Sequence, residues 1–139
     1  MRKLKFMAML AVAAALVVGC AAAATPAKGG TVNATLTEMK IALDKTSLPA
    51  GPITFVVKNS GTVVHELVVL QTDVAEDKLV PDAAQAGKVV ETGNLAETGD
   101  VNAGESKSFT VTLPAGRYVL MCNQVGHYAG GMHLTFTVN

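Results

Sequence analysis

The chain has 139 residues, half of them apolar, with only 4% aromatics and no Trp. That length suits one domain whose core is built mainly from Val, Leu, Ile and Ala. Formal charge is zero, and without Arg2, Lys3 and Lys5 near the start, 11 acidic groups face 8 basic ones. This leaves no basic footprint for nucleic acid, and no glycine-rich phosphate loop is present.

In chain order, three basic residues precede an apolar run from Phe6 to Val18. This is the order of a secretory signal peptide, and the run is short of the roughly 20 residues that a membrane span needs. Leu16-Val17-Val18-Gly19-Cys20 resembles a bacterial lipobox, in which Cys20 becomes the lipidated first residue. Ala22-Ala23-Ala24 offers an ordinary signal-peptidase site instead. The Cys placed directly after Gly at the end of the run favours the lipobox, although Val rather than Leu stands three residues before it. Residues 1–19 are thus read as a signal peptide, 20–30 as a flexible tether and 31–139 as the folded domain. Cys20 is then lipidated or removed, leaving Cys122 alone in an exported protein, where cysteines usually pair. The lone thiol is a metal ligand, a reactive group or an inert buried residue.

From Thr31 onward the pattern is all β: short β-prone runs divided by turn residues. Val32–Leu43 reads as one or two strands, and Ile53–Lys58 follows the Pro49-Ala50-Gly51-Pro52 turn. Val63–Leu70 follows Asn59-Ser60-Gly61 and is apolar on both faces, as a covered strand is. Ser106–Leu113 alternates, Pro114-Ala115-Gly116 turns the chain into Arg117–Cys122, and Met132–Val138 closes it. In the last strand Met132, Leu134, Phe136 and Val138 share one face, leaving His133 as surface. These runs imply a sandwich or barrel. Gln71–Asp100 is the exception, a long insertion in which Val74–Leu79 and Asp82–Lys88 are expected to form short helices.

The chemistry concentrates in Cys122-Asn-Gln-Val-Gly-His127-Tyr-Ala-Gly-Gly-Met132. A thiolate, an imidazole and a thioether fall on one loop between two strands, and His65 comes from a distant strand. Two His and one Cys with a weak axial Met describe a type 1 copper site. Each residue taken singly has a plainer reading: Cys122 as inert thiol, His127 as surface loop, His65 as core histidine, Met132 as packing. It is the shared spacing that favours ligation. Zinc also takes His and Cys, but Met serves it poorly.

Gly116-Arg-Tyr118-Val-Leu-Met-Cys122, Gly126-His127 and Gly130-Gly131-Met132 resemble the C-terminal signature of the plastocyanin/azurin superfamily. Asn59-Ser-Gly61 before His65 resembles its upstream half, and the C-x4-H-x4-M spacing is rusticyanin-like. The resemblance covers residues 31–139 and implies a cupredoxin: a Greek-key β-sandwich with the partly helical insertion, binding one copper. It carries over His65, Cys122 and His127 as equatorial ligands and Met132 as the axial one. It also implies Tyr118 as the brace of a Greek-key corner. Family members commonly place Asn or Ser after the first His, where this chain has Glu66. That carboxylate either points away, is held protonated, or lowers the potential.

The implied function is a monomeric one-electron carrier outside the cytoplasm, held at the membrane by lipid on Cys20. Redox partners would dock transiently near His127, with Val125, Tyr128 and Ala129 forming an apolar patch. The alternative is a copper delivery or storage lipoprotein, although the chain carries no Met or His tract. An enzyme would need a further His-rich copper site, and only three His are present.

Overall fold

The computed structural model describes residues 28–139; the expected signal peptide, the lipobox and most of the tether lie outside them. Nine strands are described: β1 Gly30–Thr37, β2 Lys40–Leu43, β3 Ser47–Leu48, β4 Gly51–Asn59, β5 Val68–Gln71, β6 Asn94–Glu97, β7 Ser106–Leu113, β8 Gly116–Met121 and β9 His133–Val138. They form two sheets, ordered β2-β1-β4-β7 and β3-β9-β8-β5-β6. β1 runs parallel to β4, with Val32 opposite Phe55 and Ala34 opposite Val57, and β8 is antiparallel to β9.

Side-chain alternation explains the sandwich. Val32, Ala34 and Leu36 of β1 and Ile53, Phe55 and Val57 of β4 are fully or almost fully buried. They pack with Val69, Tyr118, Leu120, Phe136 and Val138 from the other sheet, and with Leu67 and Cys122 at the ends of its strands. Phe55 stacks on Phe109 at 5.3 Å and meets Phe136 edge-on at 5.6 Å, so the few aromatics are grouped at the centre. Tyr118 donates its hydroxyl to the Pro114 carbonyl at 2.7 Å, pinning the turn into β8 as its family position implies.

Val32–Leu43 is two strands, divided at Glu38-Met39, where Met39 takes a φ of 56°. Val63–Leu70 is not one strand. Only Val68–Gln71 belongs to the ladder, while His65 forms an isolated bridge with Val101. Consecutive residues His65 and Glu66 are both buried, which the two-sided alternation of a half-covered strand does not allow.

The expected helices of the insertion are absent. Among the described residues no segment is helical, and Gln71–Asp100 consists of turns, a bridge and β6. Asp82 accepts from the amides of Ala84 and Gln85, so local side-chain bonding competes with a helix there. Pro81 bridges to Val89, and Val90 donates to the Val80 carbonyl at 2.8 Å, folding the segment back on itself. Gly87 and Gly93, both at φ 81°, make the reversals. β6 escaped sequence reading because Asn-Leu-Ala-Glu is poor in β-branched residues; β5 recruits it through backbone pairing.

The insertion has a packing role. β5 and β8 also present Val68, Leu70, Val119 and Met121 to the outer face, where Leu79, Val89 and Tyr128 bury them. Each such side chain is worth about 1.5–3 kcal/mol when fully buried. This second core therefore explains both the two-sided hydrophobicity of these strands and the length of the insertion.

Candidate metal centre

β8 ends at Met121 and delivers Cys122, fully buried, to the top of the main core. The loop that follows is closed by its own backbone. Cys122 donates its amide to the Met132 carbonyl at 3.0 Å, and Met132 donates to the His127 carbonyl at 3.1 Å. His127 donates in turn to Gln124 at 2.9 Å. The three expected loop ligands are thus tied to one another before any ion is considered. Gly126 and Gly131 adopt φ of 81° and 96°, which a side chain at either position would strain.

His65 arrives on the segment that joins β4 to β5, the strand beside β8. Asn59 organises its approach: the side-chain amide donates to the carbonyls of Val63 and Val101 at 2.7 and 2.8 Å. The Asn59 side-chain oxygen accepts from the Gly61 amide at 2.8 Å. The His65–Val101 bridge then fixes the backbone at 3.1 and 2.7 Å.

These supports bring three donor atoms together. Nδ1 of His65 lies 3.2 Å from Nδ1 of His127. Sγ of Cys122 lies 3.3 Å from His127 Nδ1 and 4.0 Å from His65 Nδ1. Typical metal bonds of about 2.0 Å to imidazole nitrogen and about 2.3 Å to thiolate sulfur span such separations. The residues therefore fit a single ion. Met132 is fully buried in the same core cluster as Cys122, with its backbone bonded to both loop ligands.

Burial sets the protonation of the metal-free site. Desolvation pushes the Cys122 thiol up to about 11, partly offset by backbone amides. Desolvation, and then the neighbouring His127, lower the pKa of His65. Both imidazole and thiol are therefore held uncharged, the state in which the polar cluster costs least.

Glu66 is 8% exposed, and burial raises its pKa. Its backbone amide lies 3.4 Å from Cys122 Sγ, while its carboxylate turns aside to accept the Asn123 amide at 3.1 Å. Of the three readings of this residue, the hydrogen bond fits a carboxylate pointing away, and its burial also favours the protonated form. Asn123 was missed by sequence reading. Its side chain accepts from Val89 N–H at 2.9 Å and donates to Val89 O at 2.9 Å and Glu91 at 2.8 Å. It clasps the insertion to the residue beside Cys122.

Two expectations about neighbours change. His133 is not ordinary surface: it is half-buried, its ring 4.9 Å from that of Tyr128, and its Nδ1 is enclosed. Tyr128 is half-buried rather than displayed, and its hydroxyl accepts the Leu79 amide at 2.9 Å. Val125 and Ala129 are exposed as expected, and the other exposed apolar groups around the loops are Met39 and Val63. Met39 packs so closely on Gly130 that a Cβ there would collide with its sulfur.

The Sulfocyanin (SoxE) domain family model matches residues 8–139. The chain belongs to this family. It is a cupredoxin, as the sandwich and the His-Cys-His cluster on its end also indicate. The chain is 36% identical to Auracyanin-B of Chloroflexus aurantiacus over 125 residues, 82% of this chain and 53% of that protein. It therefore spans about half the length of that curated relative. Among solved structures, it is similar to sodium-dithionite-reduced auracyanin from Roseiflexus castenholzii, with TM-score 0.61 and 28% identity. That match covers 81% of this chain and 98% of the other. It is similar also to auracyanin A of Chloroflexus aurantiacus, described as a "blue" copper protein, with TM-score 0.59 and 26% identity, covering 80% of this chain and 100% of the other.

Proposed function

We propose that the chain binds one type 1 copper ion through His65, Cys122, His127 and Met132 and carries single electrons between redox partners outside the cytoplasm. The observation that carries this reading is the convergence of His65 Nδ1, His127 Nδ1 and Cys122 Sγ within 3.2–4.0 Å. Copper bound there supplies a one-electron couple between Cu(II) and Cu(I).

The protein's own part is to hold its donors still. Soft sulfur suits Cu(I) and imidazole suits both oxidation states, so a site fixed between their preferences rearranges little on reduction. Hydrogen bonds among Cys122, His127 and Met132, and the bridge at His65, supply that rigidity. The Glu66 amide donates to the sulfur and helps stabilise it as thiolate. Sulfur and His65 are shielded from water, while His127 is only half-buried and gives the electron its shortest exit. Exposed Val125 and Ala129, flanked by Met39 and Val63, form a small apolar rim for transient contact. Two of its members differ from the patch expected from sequence.

The domain plan extends this reading: residues 1–19 direct export, Cys20 carries the lipid, and the following residues tether a monomeric domain near the membrane. The reported family relation supports a carrier rather than an enzyme. The test is copper retention against excess chelator, combined with repeated cycles of dithionite reduction and air reoxidation. A carrier keeps its copper and returns to full colour. Loss of copper to the chelator within the first cycle contradicts the carrier reading and favours delivery or storage.

A further inference from the structure

The ring nitrogen of His65 that faces away from the site, Nε2, is fully enclosed and has no hydrogen-bond partner among the described residues. With Nδ1 turned to the other donors, Nε2 must carry the ring proton when Nδ1 ligates. A buried donor left without a partner is costly.

A charged group approaches the same place from the turn between β1 and β2. Glu38 accepts the Thr62 amide at 2.5 Å and the Thr62 hydroxyl at 2.9 Å, and so is drawn over the loop that leads to His65. A Cβ at Gly61 would stand 2.7 Å from Glu38 Oε1 and 3.0 Å from His65 Nε2. Both atoms therefore face one small space that exists because residue 61 has no side chain. Gly61 is not among the glycines with positive φ, so its backbone does not demand glycine. It is the space that does.

We infer that Glu38 is a positioning residue, its carboxylate acting as the electrostatic partner of the His65 Nε2–H across the bare face of Gly61. A carboxylate behind a metal-bound imidazole fixes its tautomer and orientation and raises its donor strength. Here it would also bring a second negative charge, besides Glu66, toward the site. The Thr62 bonds, above all the backbone one, hold the Glu38 carboxyl down at about 2, so it is ionised at neutral pH. Glu38 lies outside the Cys122–Met132 loop and escapes any motif built on the ligands. Its connection is made by the β1–β2 turn.

The inference rests on the copper reading, and its test keeps the two apart. The copper-loaded protein is compared as wild type, Glu38→Gln, Glu38→Ala and Gly61→Ala. Glu38→Gln keeps an oxygen for Thr62 and removes only the charge; Gly61→Ala keeps the charge and wedges a methyl group into the shared space. The readouts are the reduction potential and, in the diamagnetic Cu(I) protein labelled with 15N-histidine, the solvent exchange of the His65 Nε2–H. The expected results are a raised potential in Glu38→Gln and exchange at least tenfold faster in Glu38→Ala and Gly61→Ala. If either readout stays at its wild-type value, the role of Glu38 is overturned while the copper site stands. A wild-type protein that gives no blue copper signal overturns the site itself.

Discussion

Glu66 offers its backbone amide to Cys122 Sγ at 3.4 Å and turns its carboxylate away, onto the amide of Asn123. The donor that sulfur needs therefore comes from the main chain, which any residue but proline at position 66 supplies. A carboxylate at position 66 is therefore compatible with that bond.

A first prediction concerns the cost of that carboxylate. Burial raises the folded-state pKa of Glu66 above its ordinary 4.5, so ionisation penalises the folded state more than the unfolded one. The penalty begins as pH rises past 4.5 and is complete above the folded pKa. Glu66→Gln keeps an oxygen for Asn123 and removes the charge. The metal-free variant should melt higher than wild type at pH 7, with the gap closing below pH 4.5. Melting curves across pH 4–8 check this; equal curves at pH 7 count against it.

The Asn123 clasp is the second. Its side chain pairs with both backbone groups of Val89, at 2.9 Å each, in a buried setting. Asn123→Ala strands the two groups and should cost about 1–3 kcal/mol in stability. Hydrogen exchange at the Val89 amide should accelerate well beyond that at core amides such as those of β4. Uniform acceleration across the domain would instead indicate that the insertion and core open together.

Metal loading should release a proton. Desolvation holds the Cys122 thiol at about 11 in the metal-free protein, so the thiolate that a metal needs is scarce at neutral pH. Apparent copper affinity should therefore rise close to tenfold for each pH unit between 6 and 8. Competition with a chelator of known pH dependence measures this. An affinity flat across that range would mean that Cys122 does not bind as thiolate.

The sandwich and its ligand loop were legible because their signals are local. Phe109, Val111 and Leu113 alternate within one strand, and Cys122, His127 and Met132 sit at fixed spacing on one loop. His65 was legible only through that loop, since inside an apolar run a lone His resembles core. The insertion was misread because helical reach and turn formation look alike in segments such as Asp82–Lys88. Asp82 side-chain bonds and the Pro81–Val89 bridge, which decide the matter, depend on the fold. Asn123 and Glu38 were invisible for the same reason. Their partners lie 32 and 24 residues away or more, and nothing in their own neighbourhood marks them.

The most direct test of the central claim is the visible and EPR spectrum of the soluble domain with one equivalent of Cu(II), beside Cys122→Ser. The account predicts an intense blue band and narrow copper hyperfine splitting in the wild type, both lost in the variant. A pale protein with ordinary square-planar copper signals, or a blue band that survives in Cys122→Ser, would contradict it.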